Sequence, residues 1–580
     1  METQTIKPRK AGGWKDLFRT IRALRLPWVW IIVGLGLNLG MNNMLLDLPD
    51  TTADLLSGDF SGGALTKAIL YYVVLGLLSC VAMIGQVQAQ TYGIKRARDS
   101  VWKQMLGMRM EFFDRNDPSD LMSAIINDTS TAVETLINII LYLLPDIYYV
   151  IMALLRINQY HWILAVSCFA MLPLKYVYAL IMGKKVQVNT AKVYGKIGRL
   201  TSFLADRINH LPLIKTYTNE EKERETGNVV AHKLMKANMK LVFLDNISTG
   251  VVAVLDVLQK FIVVVVAVIL LQRKEIEIAT WLAFFLFAEN LFPSMDDVFE
   301  QWIRLKGMHG SFSRVIEVMD GELEEEQAAL PFPETGDIAF HDVTFTYPET
   351  DTPALSHVSF TIPRGSCAAI VGLCGSGKTT SVSLLERFYT PQNGSITIGD
   401  TDIRDIPLGQ FRKNFAYVQQ GADVFSGTLR EALTYGIDRD VSDPEILAAA
   451  EQTGFSDYIA LCSDGLDTPV ASGGTSMSGG QSQRLVLTRE VLRGGDIVLM
   501  DEPTSALDVR VSAKIQDTMD TVFAGKTRIL ITHDLQFARK YGRILVMKNG
   551  QLVGDGTHAE LMETCETYRN MVEHPEEAAV

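Results

Sequence analysis

With 580 residues, 48% of them hydrophobic, and a mean hydropathy of +0.14, the chain is too apolar for an ordinary soluble enzyme. A formal charge of −13 argues against nucleic acid as the main partner. Six scattered cysteines (Cys80, Cys168, Cys367, Cys374, Cys462 and Cys565) show neither C-x-x-C nor metal spacing, so no disulfide framework is implied.

Taken in chain order, Lys7, Arg9, Lys10 and Lys15 precede any apolar run, which does not suit a cleaved signal peptide. Trp14, Leu17, Phe18, Ile21 and Leu24 recur at helical spacing among Lys15, Arg19 and Arg22. That pattern predicts an interfacial elbow helix over 14–25. Six apolar runs then approach the length of about 20 residues that a spanning helix needs. They are 27–46, 69–87, 136–155, 162–182, 249–271 and 278–292. Loops after the first, third and fifth are short. Those after the second and fourth, 88–135 and 183–248, are long, polar and helix-like. Both carry cations near the spans (Lys95, Arg96, Arg98, Lys103; Lys184, Lys185, Lys192), whereas the first short loop holds Asp47, Asp50 and Asp54. The cation bias predicts that the N-terminus, both long loops and the C-terminal half face the cytoplasm. The sequon Asn127-Asp128-Thr129 would then lie on the wrong side for glycosylation.

Ionisable residues inside spans are costly in lipid and usually face an interior or a cavity. Asp146, Lys175, Asp256, Lys260 and Glu289 are therefore candidate cavity residues. Asp256 and Lys260 stand four apart, so pairing with each other along one helix is the alternative. Tyr142, Tyr148, Tyr149 and Phe284 would add aromatic surface to a cavity, though core packing suits them better.

An acidic stretch, Met319-Asp320-Gly321-Glu322-Leu323-Glu324-Glu325-Glu326, and Pro331-Phe332-Pro333 mark a linker over 321–335. It divides an all-α membrane domain, 1–320, from an α/β domain, 336–580. In the second half, Gly372-Leu373-Cys374-Gly375-Ser376-Gly377-Lys378-Thr379 fits a phosphate-cradling loop. Its glycines let successive N–H groups face one anion. The apolar Ala368 to Val371 before it reads as a strand, and the helix opening at Thr379 favours phosphate at its N-terminus. Ile497 to Met500 is a second buried strand, delivering Asp501 and Glu502. Met477-Ser478-Gly479-Gly480-Gln481 offers N–H groups and a hydroxyl, and His533 ends the strand Ile529 to Thr532.

Together these residues resemble the ATP-binding cassette (ABC) transporter family over nearly the whole chain. Gly372 to Thr379 match its Walker A loop, and Met477 to Gln481 its LSGGQ signature with Met for Leu. Ile497 to Glu502 match Walker B with the catalytic glutamate. Ser505 to Asp508 match the D-loop, His533 the switch histidine, and Val418-Gln419-Gln420 the Q-loop with Gln for Pro. Tyr347 matches the aromatic that stacks on adenine, an interaction worth roughly 1–3 kcal/mol per base. Two departures stand out. Thr468 to Gly474 lacks the acidic and arginine residues common before the signature, which puts cross-talk with the coupling helices in doubt. Ser482 replaces a common basic residue after it.

The resemblance implies an exporter-like (type IV) half-transporter that binds ATP and Mg²⁺. Glu502, His533 and Gln420 would be catalytic. Tyr347, Gly372, Gly375, Ser376, Gly377, Lys378, Thr379, Thr380, Ser478, Gly479, Gly480, Gln481 and Asp508 would bind nucleotide, and Thr379, Gln420 and Asp501 would hold Mg²⁺. Phe112 to Asn116 with Leu121 to Ser123, and Leu213 to Tyr217 with Glu220-Glu221, resemble the family's intracellular loops and their short coupling helices. The implied partner is a second copy or a related half-transporter; intact Glu502, His533 and Ser478 to Gln481 favour the homodimer. Export of an amphipathic small molecule, lipid or peptide across a bacterial inner membrane is the expected activity. The alternatives are an exporter-fold importer of siderophore-type substrates and an ATP-gated regulatory membrane protein.

Overall fold

The computed structural model describes residues 21–22, 24–56, 62–116, 118–307, 309–324, 329–348, 350–419, 421, 424–471, 477–504, 507 and 509–574. The elbow expected at 14–25 falls largely outside them, as do Gln420 and Asp508. The chain divides into two compact units. The first takes 1–107 and 116–321; the second takes 108–115 and 322–580.

The first unit is all helical. Long apolar sequences extend without interruption into polar ones, because a helix satisfies its own backbone in lipid and water alike. Hence Gly62–Leu106 has 45 residues, Leu172–Asn209 has 38 and Glu220–Gln272 has 53. At 1.5 Å per residue, the last is about 80 Å long. Five stretches are long and apolar enough to cross a membrane among the described residues: Trp28–Thr52, Leu65–Leu106, Leu121–Tyr160, Trp162–Asn209 and Glu220–Gln272. The sixth expected span lies on the 30-residue helix Ile278–Gly307, where Glu289, Asp296, Asp297 and Glu300 dilute the apolar run. Short helices, Met110–Arg115 and Leu211–Thr216, sit inside the two long loops. Tyr149, Ala153, Phe284, Phe287 and Leu291 share one buried core of this unit.

The fourth span departs from a single continuous helix. Trp162–Ser167 ends in a turn, and Leu172–Asn209 restarts beyond it. Pro173 near the restart lacks the N–H that would continue the first segment. The Leu172 N–H donates to the Phe169 carbonyl rather than to that of Cys168, and the Cys168 carbonyl accepts instead from the buried Gln259 Nε2 at 2.6 Å, so the break leaves no bare acceptor there.

In the second unit, strands β1 (Ile338–Phe345), β2 (Leu355–Ile362), β4 (Asn393–Ile398) and β5 (Thr401–Asp402) form an antiparallel sheet in the order β2-β1-β4-β5. A six-stranded sheet comprises β3 (Cys367–Gly372), β6 (Phe415–Val418), β9 (Ile497–Asp501), β10 (Thr527–Ile531), β11 (Arg543–Lys548) and β12 (Gln551–Gly556). Its order is β12-β11-β3-β10-β9-β6, parallel except for β11–β12. β9 is buried throughout and β10 from Ile529 to Ile531, which explains the apolar runs Ile497 to Met500 and Ile529 to Ile531. A third, two-stranded pair joins β7 (Gly427–Thr428) and β8 (Pro469–Val470). It borders a helical part with its own core of Leu429, Ile446, Phe455 and Leu485. Met108–Arg115 belongs to this unit through an antiparallel bridge between Met108 and Leu323, and the Arg109 N–H donates to the Glu322 carbonyl at 3.2 Å.

Candidate functional site

Strands β3, β10 and β9 are parallel neighbours, and their C-terminal ends deliver Gly372, Thr532-His533 and Asp501-Glu502 to one edge. That edge is where open α/β sheets bind ligands. The loop from Gly372 leads into the helix Lys378–Leu385. Gly377 has φ +99°, and a Cβ there would meet the Ala354 carbonyl oxygen and Leu355 Cδ2, each at 2.7 Å. Only glycine fits both constraints.

Lys378 folds back over the loop. Its Nζ donates to the carbonyls of Gly372 at 2.8 Å and Leu373 at 3.0 Å. Burial lowers its pKa, while the nearby Glu502 and Asp501 carboxylates oppose that shift. Ser376 is buried and its Oγ has no hydrogen-bond partner. A buried donor facing nothing within the chain suits an anionic ligand.

Asp501 is 5% exposed and takes a hydrogen bond from the Thr379 hydroxyl. Burial first, then the adjacent Glu502, pushes its carboxyl up to about 6. Glu502 has φ +45°, a left-handed conformation that a non-glycine residue adopts at a cost. Its N–H donates to the Ile531 carbonyl at 2.9 Å, and its Oε1 lies 3.4 Å from His533 Nδ1. The sequence alone does not reveal this strained backbone.

A cleft of about 530 Å³ joins these groups to an aromatic wall. Its lining runs from Tyr347 and Ala354, along Gly372 and Cys374 to Thr380, to Glu502 and His533. Tyr347 lies 3.3 Å, hydroxyl to hydroxyl, from Thr380. One end thus offers an aromatic ring, the other a cation, a hydroxyl–carboxylate pair and an anion-directed loop. Among the described residues no three His, Cys, Asp or Glu side chains cluster tightly enough to hold a metal. Thr379 and Asp501 suit a Mg²⁺ ion whose other ligands come from phosphate and water.

The signature residues are not in that cleft. Ser478 caps the helix Gly479–Arg493: its hydroxyl accepts from the Gln481 N–H, and Gln481 Oε1 accepts from the Ser478 N–H at 2.8 Å. A Cβ on Gly480 would meet Val511 Cγ1 at 2.8 Å, so close helix packing excludes a side chain there. Gln481 therefore acts here as half of a capping box.

The candidate cavity residues separate into two ionic groups. Buried Lys175 pairs with Asp256, and also with Asp296 at 2.9 Å, uniting three helices. Lys260 Nζ lies 2.8 Å from Glu289. Asp256 and Lys260 therefore do not pair with each other: helix packing supplies each with a partner on another helix. Asp146 belongs to neither group. Asp296 was missed because it lies four residues beyond the apolar run; carrying the span past Pro293 would have included it.

Comparison with known proteins agrees with this geometry. Residues 42–295 match the family model "ABC transporter transmembrane region", and 355–505 match "ABC transporter". A "Multidrug resistance ABC transporter ATP-binding and permease protein" of Lactococcus lactis is 26% identical over 572 residues, 96% of this chain and 95% of that protein. An "ATP-dependent lipid A-core flippase" of Thiobacillus denitrificans is 27% identical over 492 residues, 85% of each chain. Among solved structures, a bacterial Atm1-family ABC exporter with ATP bound shares the fold, with a TM-score of 0.79 at 22% identity over 97% of this chain and 99% of that one. The chain belongs to the ABC transporters, an integral membrane protein in which ATP hydrolysis by a fused nucleotide-binding domain is coupled to transport.

Proposed function

We propose that two copies of this chain form an exporter that moves a lipid or another amphipathic molecule out of the cytoplasm across a bacterial inner membrane. The observation that carries this reading is the division of the nucleotide site. One chain brings Tyr347, Lys378, Thr379, Glu502 and His533 to a single cleft, with buried Asp501 bonded to the Thr379 hydroxyl, while Ser478 to Gln481 lie elsewhere. A second copy would supply the missing signature, and nothing in either half is degenerate. Relatives that are a lipid A-core flippase and a multidrug transporter support the substrate class and outward direction.

In this reading Lys378 exchanges its two carbonyl partners for β- and γ-phosphate oxygens, and Ser376 gains the acceptor it lacks. Tyr347 stacks on the purine. Thr379, Asp501 and Gln420 would hold Mg²⁺, which would neutralise developing phosphate charge. Glu502 orients the attacking water, and His533 holds the γ-phosphate end in register with it. Ser478 and Gly480 of the partner copy close the site, with Asp508 at the same junction. Closure draws the two nucleotide-binding domains together; loss of the γ-phosphate releases them, switching the spans between inward- and outward-facing states. The cations flanking the long loops support a cytoplasmic nucleotide-binding domain and N-terminus.

The test is reconstitution into liposomes with the nucleotide-binding domains outside. ATP-dependent movement of a fluorescent phospholipid or cationic amphiphile into the lumen, lost in Glu502→Gln, is expected. Movement in the opposite direction would favour an importer.

A further inference from the structure

Tyr389 lies outside the cleft yet touches the residue that forms its aromatic end. Its ring meets that of Tyr347 at 5.2 Å between centroids and an interplanar angle of 81°. Phe345 completes the group, 4.9 Å from Tyr347 and 5.5 Å from Tyr389. Such T-shaped contacts fix the orientation of a ring that would otherwise rotate about its side-chain bonds. The Tyr389 hydroxyl in turn donates to Asp114 Oδ2 at 2.7 Å, 275 positions away in sequence. Asp114 lies on Met110–Arg115, the short helix that the Met108–Leu323 bridge and the 3.2 Å Arg109–Glu322 ion pair fasten to this unit. Burial and then the Asp114 carboxylate hold the Tyr389 phenol far above its ordinary pKa, so it remains a donor throughout the working range.

We infer that Tyr389 is a positioning residue for the nucleobase, holding the stacking face of Tyr347 while Asp114 on the short helix holds Tyr389. This rests on the nucleotide reading above. It adds that affinity for the base depends on a contact outside the cleft, made by Asp114 on the short helix Met110–Arg115.

The test uses the full chain in lipid nanodiscs, measuring ATP affinity and steady-state turnover side by side. Tyr389→Leu should raise KM for ATP about two- to tenfold, with a smaller fall in kcat. Tyr389→Phe keeps the ring and should fall between wild type and Tyr389→Leu. Asp114→Ala should raise KM in the same direction, and Asp114→Asn, which keeps an acceptor oxygen, should rescue it. An unchanged KM in Tyr389→Leu, or equal damage from Asp114→Asn and Asp114→Ala, would overturn the inference alone. A wild type that binds no ATP would overturn both it and the nucleotide reading.

Discussion

The phosphate edge and the ionic groups among the spans use charge in opposite ways. Around Gly372 to Thr379, charges and donors are held for something the chain does not itself contain. Lys378 rests on two carbonyls, Ser376 Oγ has no partner, and Asp501 is buried beside Glu502. Among the helices, Lys175 is satisfied by Asp256 and Asp296, and Lys260 by Glu289. An unsatisfied group at a rigid backbone edge indicates a ligand site. A satisfied pair between helices indicates packing until a ligand is shown to displace it.

Substitutions at the two regions should therefore fail differently. Lys378→Ala should weaken ATP binding about tenfold to a hundredfold, from the loss of a charged hydrogen-bond donor, while barely changing thermal stability. Titration with a fluorescent ATP analogue, alongside a melting curve, checks this. Lys175→Met should do the reverse. Leaving Asp256 and Asp296 without their buried cation should cost on the order of 3–5 kcal/mol, read as a lower melting temperature in detergent. An unaffected melt would mean that Lys175 serves the transported molecule rather than the packing.

The contrast also governs what the sequence made legible. Gly372 to Thr379, Asp501-Glu502 and Ser478 to Gln481 are contiguous, and strand ends or helix caps set their geometry locally. Their spacing was enough to mark them as a candidate site. The pairing of Lys175 with Asp296 depends on how helices 121 residues apart in sequence pack, and the four-residue spacing of Asp256 and Lys260 pointed to the wrong partner. The turn after Ser167 was signalled only by Pro173 and by Gln259, a polar residue in an apolar run. Tyr389 carried no motif of its own; its place behind Tyr347 follows from tertiary packing.

Two smaller effects sharpen the comparison. Lys260 and Glu289 are each about half exposed, their side chains at 43% and 45%. If they face a water-filled cavity, Lys260→Met should cost no more than about 1 kcal/mol. A loss as large as that of Lys175→Met would put the pair in a dry interface. In the second unit, burial pushes the Glu386 carboxyl up to about 8, against the attraction of Arg412 and Arg493. A carboxyl raised on folding contributes stability that is complete below its ordinary value near 4.5 and is lost as pH rises through about 8. Glu386→Gln should therefore stabilise the protein at pH 9 relative to pH 6, by on the order of 1 kcal/mol. Equal shifts at both pH values would contradict that account.

On this account the chain alone assembles two competent ATP sites. Mg²⁺-dependent phosphate release by the purified chain in lipid nanodiscs, beside Glu502→Gln, tests it most directly. Steady turnover that Glu502→Gln lowers by about a hundredfold or more, with ATP still bound, is predicted. ATP binding without turnover by the wild type would contradict the homodimer and require a different partner chain.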